Sequence, residues 1–100
     1  MMKDTTLDSR RDAFLRLFDD MNWIESFNGR SYDNDIEDTL IDVITYKEDS
    51  IVMIWLYHTK ALIIQAIADG KVILNETCSK RESLDRVYKV VADIAKTFFN

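Results

Sequence analysis

Cys78 and His58 are the two side chains of this sequence that together suggest covalent chemistry, a thiolate nucleophile with an imidazole base. Cys78 stands just before a stretch that reads as a helix start, where backbone N–H groups and the helix dipole lower a thiol pKa. His58 falls at the end of an apolar run. The spacing offers no third residue to orient the imidazole and no set of oxyanion donors. The plainer reading is a half-buried cysteine and a turn histidine. The chain is therefore expected not to be an enzyme, with no catalytic residue and no cofactor.

Asp33, Asp35 and Glu37 open like a calcium-binding loop, but the pattern then fails. Its sixth position is Asp38, where glycine is needed, and its twelfth is Ile44, where a bidentate glutamate is needed. A solvated acidic loop is the better reading. A single histidine and a single cysteine cannot build the usual zinc site within one chain, so no metal is expected. No glycine loop of the phosphate-cradling kind is present. Lys80, Arg81, Arg86 and Lys89 cluster early in the last helical stretch, but Glu82 and Asp85 interleave with them, as on a mixed solvated face. The net charge of −5 and pI of about 4.7 disfavour direct nucleic-acid binding.

The segment 23–38 carries a different signal. Trp23, Phe27 and Tyr32 stand among Glu25, Asp33, Asp35, Glu37 and Asp38, and aromatics rimmed by polar groups are the usual makeup of interface hot spots. Trp23, Phe27, Tyr32, Asp33, Asp35, Glu37 and Asp38 are thus candidates for contact with a partner. The competing reading is that Trp23 and Phe27 plug the end of the core. An acidic edge continuing through Asp42, Glu48 and Asp49 presents spaced negative charge to a basic partner.

These residues are positioned by an expected order α-β-β-β-β-α. Residues 7–22 read as a helix, with Leu7, Phe14, Phe18 and Met21 on one side and Arg10, Arg11, Asp12, Asp19 and Asp20 mostly on the other. Asn28-Gly29 reads as a turn and residues 30–38 as a loop. Strands are expected from Thr39 to Lys47, Ile51 to Tyr57, Ala61 to Ala68 and Lys71 to Glu76. Lys47–Ser50 and His58-Thr59-Lys60 serve as turns, and Asp69-Gly70 is a two-residue hairpin turn that needs positive φ. Ser79-Lys80-Arg81-Glu82 has the form of a capping box. The helix it opens carries Leu84, Val87, Tyr88, Val91, Ile94, Ala95 and Phe98 on one face. The expected fold is α+β, a four-stranded antiparallel meander with N- and C-terminal helices, forming a single domain over residues 1–100. Asp42 in the first strand and Asn75 and Glu76 in the fourth suit edge positions.

The two inner strands are apolar on both faces. Four strands at ~4.8 Å spacing make a sheet ~19 Å wide, and two helices about 8–10 Å apart cover one side of it. The other side is left with large apolar groups, and a patch of that kind marks an interface. Met53, Trp55, Tyr57, Leu62 and Ile64 are the candidates for it. The expected function is that of a small acidic interaction protein (a binder, inhibitor or adaptor of another macromolecule) that pairs as a homodimer through this sheet face. The alternatives are a small-ligand protein or enzyme with a pocket between sheet and helix, and a structural subunit of a larger assembly. The polar start, Met1-Met2-Lys3-Asp4-Thr5-Thr6, reads as no signal peptide. Apolar runs of about eight residues are too short to span a bilayer. A cytoplasmic protein with no membrane contact is expected.

Overall fold

Helix α1 (Thr5–Asp20) turns Leu7, Phe14 and Phe18 inward, each buried almost completely. It ends in a Schellman motif. The Trp23 N–H donates to the Phe18 carbonyl at 2.8 Å, and the Asn22 N–H to the Asp19 carbonyl at 3.1 Å. Asn22 takes the left-handed conformation this requires, with φ 63°. The indole of Trp23 then packs on the Phe18 ring, centroids 5.5 Å apart. The helix ends at Asp20, two residues before the expected Asn22, because Asn22 takes the left-handed conformation that terminates it. The computed structural model describes residues 5–33, 36–57 and 59–99, with side chains at 7–30, 39–57, 59–80 and 82–96.

Five strands follow: β1 (Ile24–Asp33), β2 (Ile36–Tyr46), β3 (Asp49–Leu56), β4 (Ala61–Ala68) and β5 (Lys71–Cys78). Helix α2 (Arg81–Phe99) closes the chain. The strands form one antiparallel sheet in sequence order. The class is α+β, but with five strands where four are expected. The added strand is Ile24–Asp33, and Asn28-Gly29 lies within it rather than in a turn. Residues 30–38, expected as a loop, belong to β1 and β2 except at 34 and 35. Asn28 pairs with Asp42 and Gly29 with Ile41. In consequence β2 is an inner strand, and Asp42 is not an edge charge.

The turns follow local backbone preference. Asp69 and Gly70 have φ 52° and 75°, the left-handed pair of a type I′ hairpin. Tyr46 pairs with Asp49, so the β2–β3 turn has Lys47 and Glu48 alone at its tip, with Lys47 at φ 55°. At the start of α2 the Ser83 hydroxyl accepts from the Lys80 N–H at 3.2 Å and donates to the Lys80 carbonyl at 2.8 Å. The capping bonds thus fall one residue later than the Ser79–Glu82 pattern places them.

Both helices lie on the same side of the sheet. α1 sits over β2 and β3, where Phe14 meets Trp55 with centroids 5.9 Å apart. α2 sits over β5, where Arg86 donates to Glu76 at 3.1 Å. The helices run side by side in the same direction, joined by the Arg10–Asp85 ion pair and by an edge-on contact of Phe14 with Tyr88. Leu84, Val87, Val91 and Ala95 face the sheet and are buried. No helix among the described residues is long and apolar enough to cross a membrane.

Candidate protein-binding face

Alternation along each strand sends one set of side chains under the helices and the other set away from them. Met53, Trp55, Leu62 and Ile64 belong to the covered set, with no accessible surface. Tyr57 is half-buried and packs against the same core. The first four, expected on an interface, are instead the centre of the core, and Tyr57 packs at its margin. The reason is register: Leu40 pairs with Trp55, and Trp55 with Leu62, so they share the face that α1 and α2 cover.

The open face is the opposite set. On β2 it shows Thr39, Ile41, Val43 and Thr45, and on β3 Ser50, Val52, Ile54 and Leu56, as their pairing requires. On β4 it continues with Ile63, Gln65 and Ile67, which pair with Leu56's neighbour Ile54, with Val52 and with Ser50. β5 adds Asn75 and Thr77 opposite Gln65 and Ile63, and Val72 opposite Ile67. β1 adds Ile24, Phe27 and Gly29. Among the described side chains of this face none is charged. Ile24 is 68% exposed, Phe27 53%, Val72 55% and Ile73 45%, values at which large apolar groups stand in water. Around Gly29 the Phe27 ring lies flat on the strand: a Cβ at Gly29 would come within 2.7 Å of Phe27 Cε1.

Beneath the helices the one buried charge among the described residues is Asp42, with no accessible surface. Arg11 reaches it through Nε at 2.7 Å and Nη2 at 3.0 Å. The Asn28 side-chain amide donates at 2.7 Å and the Trp55 indole N–H at 3.0 Å. Both carboxylate oxygens therefore hold two donors each, the condition under which a buried charge is tolerated. The hydrogen bond to Asp42 raises the Arg11 pKa above its ordinary value. A carboxylate so fully engaged has no free lone pair for proton transfer, which makes this a structural cluster. Its signal was present in the sequence: Leu7, Arg11, Phe14 and Phe18 form one helical stripe, so Arg11 interrupts an apolar face.

Beside α1 lies an open cleft of about 500 Å³. Leu15, Phe18, Trp23 and Ile44 supply its apolar part, and Asp12, Arg16, Asp19 and Glu25 its charged part. Loss of hydration pushes the Glu25 carboxyl pKa up, the nearby Asp42 charge pushes the same way, and Arg11 opposes both. The Trp23 indole N–H is buried without a hydrogen-bond partner among the described residues.

The remaining candidates separate. Trp23 is only 4% exposed and packs between the tilted rings of Phe18 and Tyr46, so it plugs the core. Phe27 is on the surface, on the open face. Tyr32, Asp33, Glu37 and Asp38 lie on the β1–β2 hairpin, outside the described side chains, and Asp35 and His58 lie outside the described residues altogether. Cys78 ends β5 and is 1% exposed. Burial, and next the Glu76 charge, push its thiol pKa up, with Arg86 and Ser83 opposing. That is the reverse of the activation expected for a cysteine before a helix. Comparison with protein-family models, curated proteins and solved structures finds no match to this chain.

Proposed function

We propose that this chain is a non-enzymatic interaction protein that works by burying the open face of its sheet against protein. The observation that carries this reading is the largely apolar face opposite both helices, uncharged among its described side chains, with Ile24, Phe27, Val72 and Ile73 in water. A sheet of five strands at ~4.8 Å and about eight residues per strand offers ~600 Å² on one side. Its apolar part, broken by Thr39, Thr45, Ser50, Gln65, Asn75 and Thr77, is smaller than this, and apolar patches of a few hundred Å² mark interaction sites. The acidic residues Asp33, Asp35, Glu37 and Asp38 of the sequence suit a basic partner, as an inhibitor or adaptor would need. A cytoplasmic setting and the absence of nucleic-acid contact fit the net charge of −5 and the single buried thiol.

The test is recovery of tagged protein from its own cells, as the parent chain and as Gln65→Lys. Gln65 lies at the middle of the open face, paired to Val52 on one side and Asn75 on the other. A stoichiometric protein retained by the parent and lost from Gln65→Lys is the expected result. Equal recovery by both forms would place binding elsewhere on the molecule.

The cleft beside α1 supports a second reading, a small amphipathic ligand seated on Leu15, Phe18 and Ile44. Titration of indole fluorescence with candidate ligands tests it, because Trp23 forms part of the wall.

A further inference from the structure

We infer that the occupant of the open face is a second copy of this chain, packed sheet on sheet about a two-fold axis. The inference rests on the reading above and names its partner. Three features point to self-recognition rather than to a foreign protein.

The first is the chemistry of the polar groups. Gln65, Asn75, Thr39, Thr45, Ser50 and Thr77 each carry both a donor and an acceptor. A carboxylate faced with its own copy repels it, and an ammonium does the same. An amide or hydroxyl faced with its own copy forms a hydrogen bond. Every polar side chain described on this face is of the kind that can meet itself. Gln65 and Asn75 lie side by side in the register, so a two-fold axis near them pairs amide with amide.

The second is charge. Two chains of net charge −5 repel each other unless their charges stay out of the contact. Here the described charged side chains lie on the helices, at the turns and on the covered side of the sheet, Asp42 among them. A partner of opposite charge would be met by complementary charges on the face, and the described part of this face has none.

The third is area. About 600 Å² from each copy gives ~1,200 Å² in total, the lower bound of stable specific interfaces and above the ~1,000 Å² that separates them from incidental contact. Two sheets of the usual twist also satisfy each other geometrically, packing ~10 Å apart with strands crossing at about −30°. A two-fold axis makes the contact isologous, so the same patch serves both copies.

Sedimentation equilibrium of the full chain from 1 to 100 µM tests the inference, with Gln65→Lys, Ile54→Lys and the helix-face control Lys89→Glu run beside it. Far-UV circular dichroism and a thermal melt on each sample report folding, and Gln65→Lys replaces a group that is already polar. The expected result is a mass twice 11.7 kDa for the parent and the control. In folded Gln65→Lys the dissociation constant should rise by about 100-fold or more, since two like charges would be desolvated together. An 11.7 kDa parent that binds an apolar dye, with dye binding lost in Gln65→Lys, overturns self-pairing and leaves the protein-binding reading standing. An 11.7 kDa parent that binds no dye overturns both. A dimer unchanged by Gln65→Lys and Ile54→Lys places the contact on another surface and overturns the inference.

Discussion

The Trp55 indole N–H donates to Asp42 Oδ2 at 3.0 Å, across a diagonal of the β2–β3 ladder. It joins the largest fully buried side chain to the one buried charge among the described residues. Arg11 completes the link from α1, so a single carboxylate ties helix, edge strand and sheet centre together. This arrangement sets how α1 lies on the sheet, which an apolar contact alone would leave free to slide.

Asp42→Asn keeps the shape but removes the charge that balances Arg11, and presents an amide N–H to donors. Breaking a buried pair in this way costs about 3–5 kcal/mol. Trp55→Phe, which removes one neutral donor, costs about 1–3 kcal/mol, as a lost buried hydrogen bond does. Urea unfolding should show both as lower midpoints, Asp42→Asn the lower of the two. A loss below about 1 kcal/mol for Asp42→Asn would mean that the cluster is not structural.

Asn22 holds the left-handed position at the end of α1, with φ 63°. Asn22→Gly should stabilise by about 0.5–1 kcal/mol, since glycine meets no Cβ penalty there, and Asn22→Val should destabilise by about 1–2 kcal/mol. Thermal melts read both. Matching effects from the two substitutions would contradict the cap.

Gly29 and Phe27 are coupled on the open face. In the parent, Gly29→Ala forces the ring off the strand and should cost about 1 kcal/mol. In a Phe27→Ala background the same change should stabilise by about 0.5–1 kcal/mol, because alanine suits a strand better than glycine. A double-mutant cycle measures the change of sign, and additive effects would rule out the contact.

The Glu25 carboxyl is raised above its ordinary value of 4.5 by lost hydration. The folded state therefore holds that proton more tightly than the unfolded chain does. Its contribution to stability is present below pH 4.5 and is lost as pH rises through the folded value. Glu25→Gln should thus melt slightly higher than the parent at pH 7, with the two curves converging below pH 4.5. A variant less stable than the parent at pH 7 would contradict the sign.

β3, β4 and the turn before β5 were legible because they carry strong local signals: apolar runs of strand length and an Asp-Gly pair with one favoured geometry. β1 was not. Its sequence IESFNGRSYD holds few apolar groups, since an edge strand buries little, and the covered-side Asn28 is polar because it serves Asp42. The bulge between Glu25 and Phe27 also breaks the alternation that marks a strand. The existence of a surplus face could be read, but not which face it was. Val52, Ile54 and Ile63 look as suited to a core as Met53, Trp55 and Ile64, and the choice depends on where the helices land. Asp42 and Arg11 were the missing clue, for a buried carboxylate must turn toward its cation.

Both outer strands are irregular. β1 shifts register twice against β2, and β5 once against β4, between Ala66 and Ile67. Bulges at the margins twist the row of free amides and carbonyls out of line, which discourages another strand from continuing the sheet sideways. Growth by edge addition would have no natural end and would run toward filaments, whereas contact through a face stops at two. With the face-to-face pairing proposed above, such margins favour finite particles over fibres at high cellular concentration of this chain.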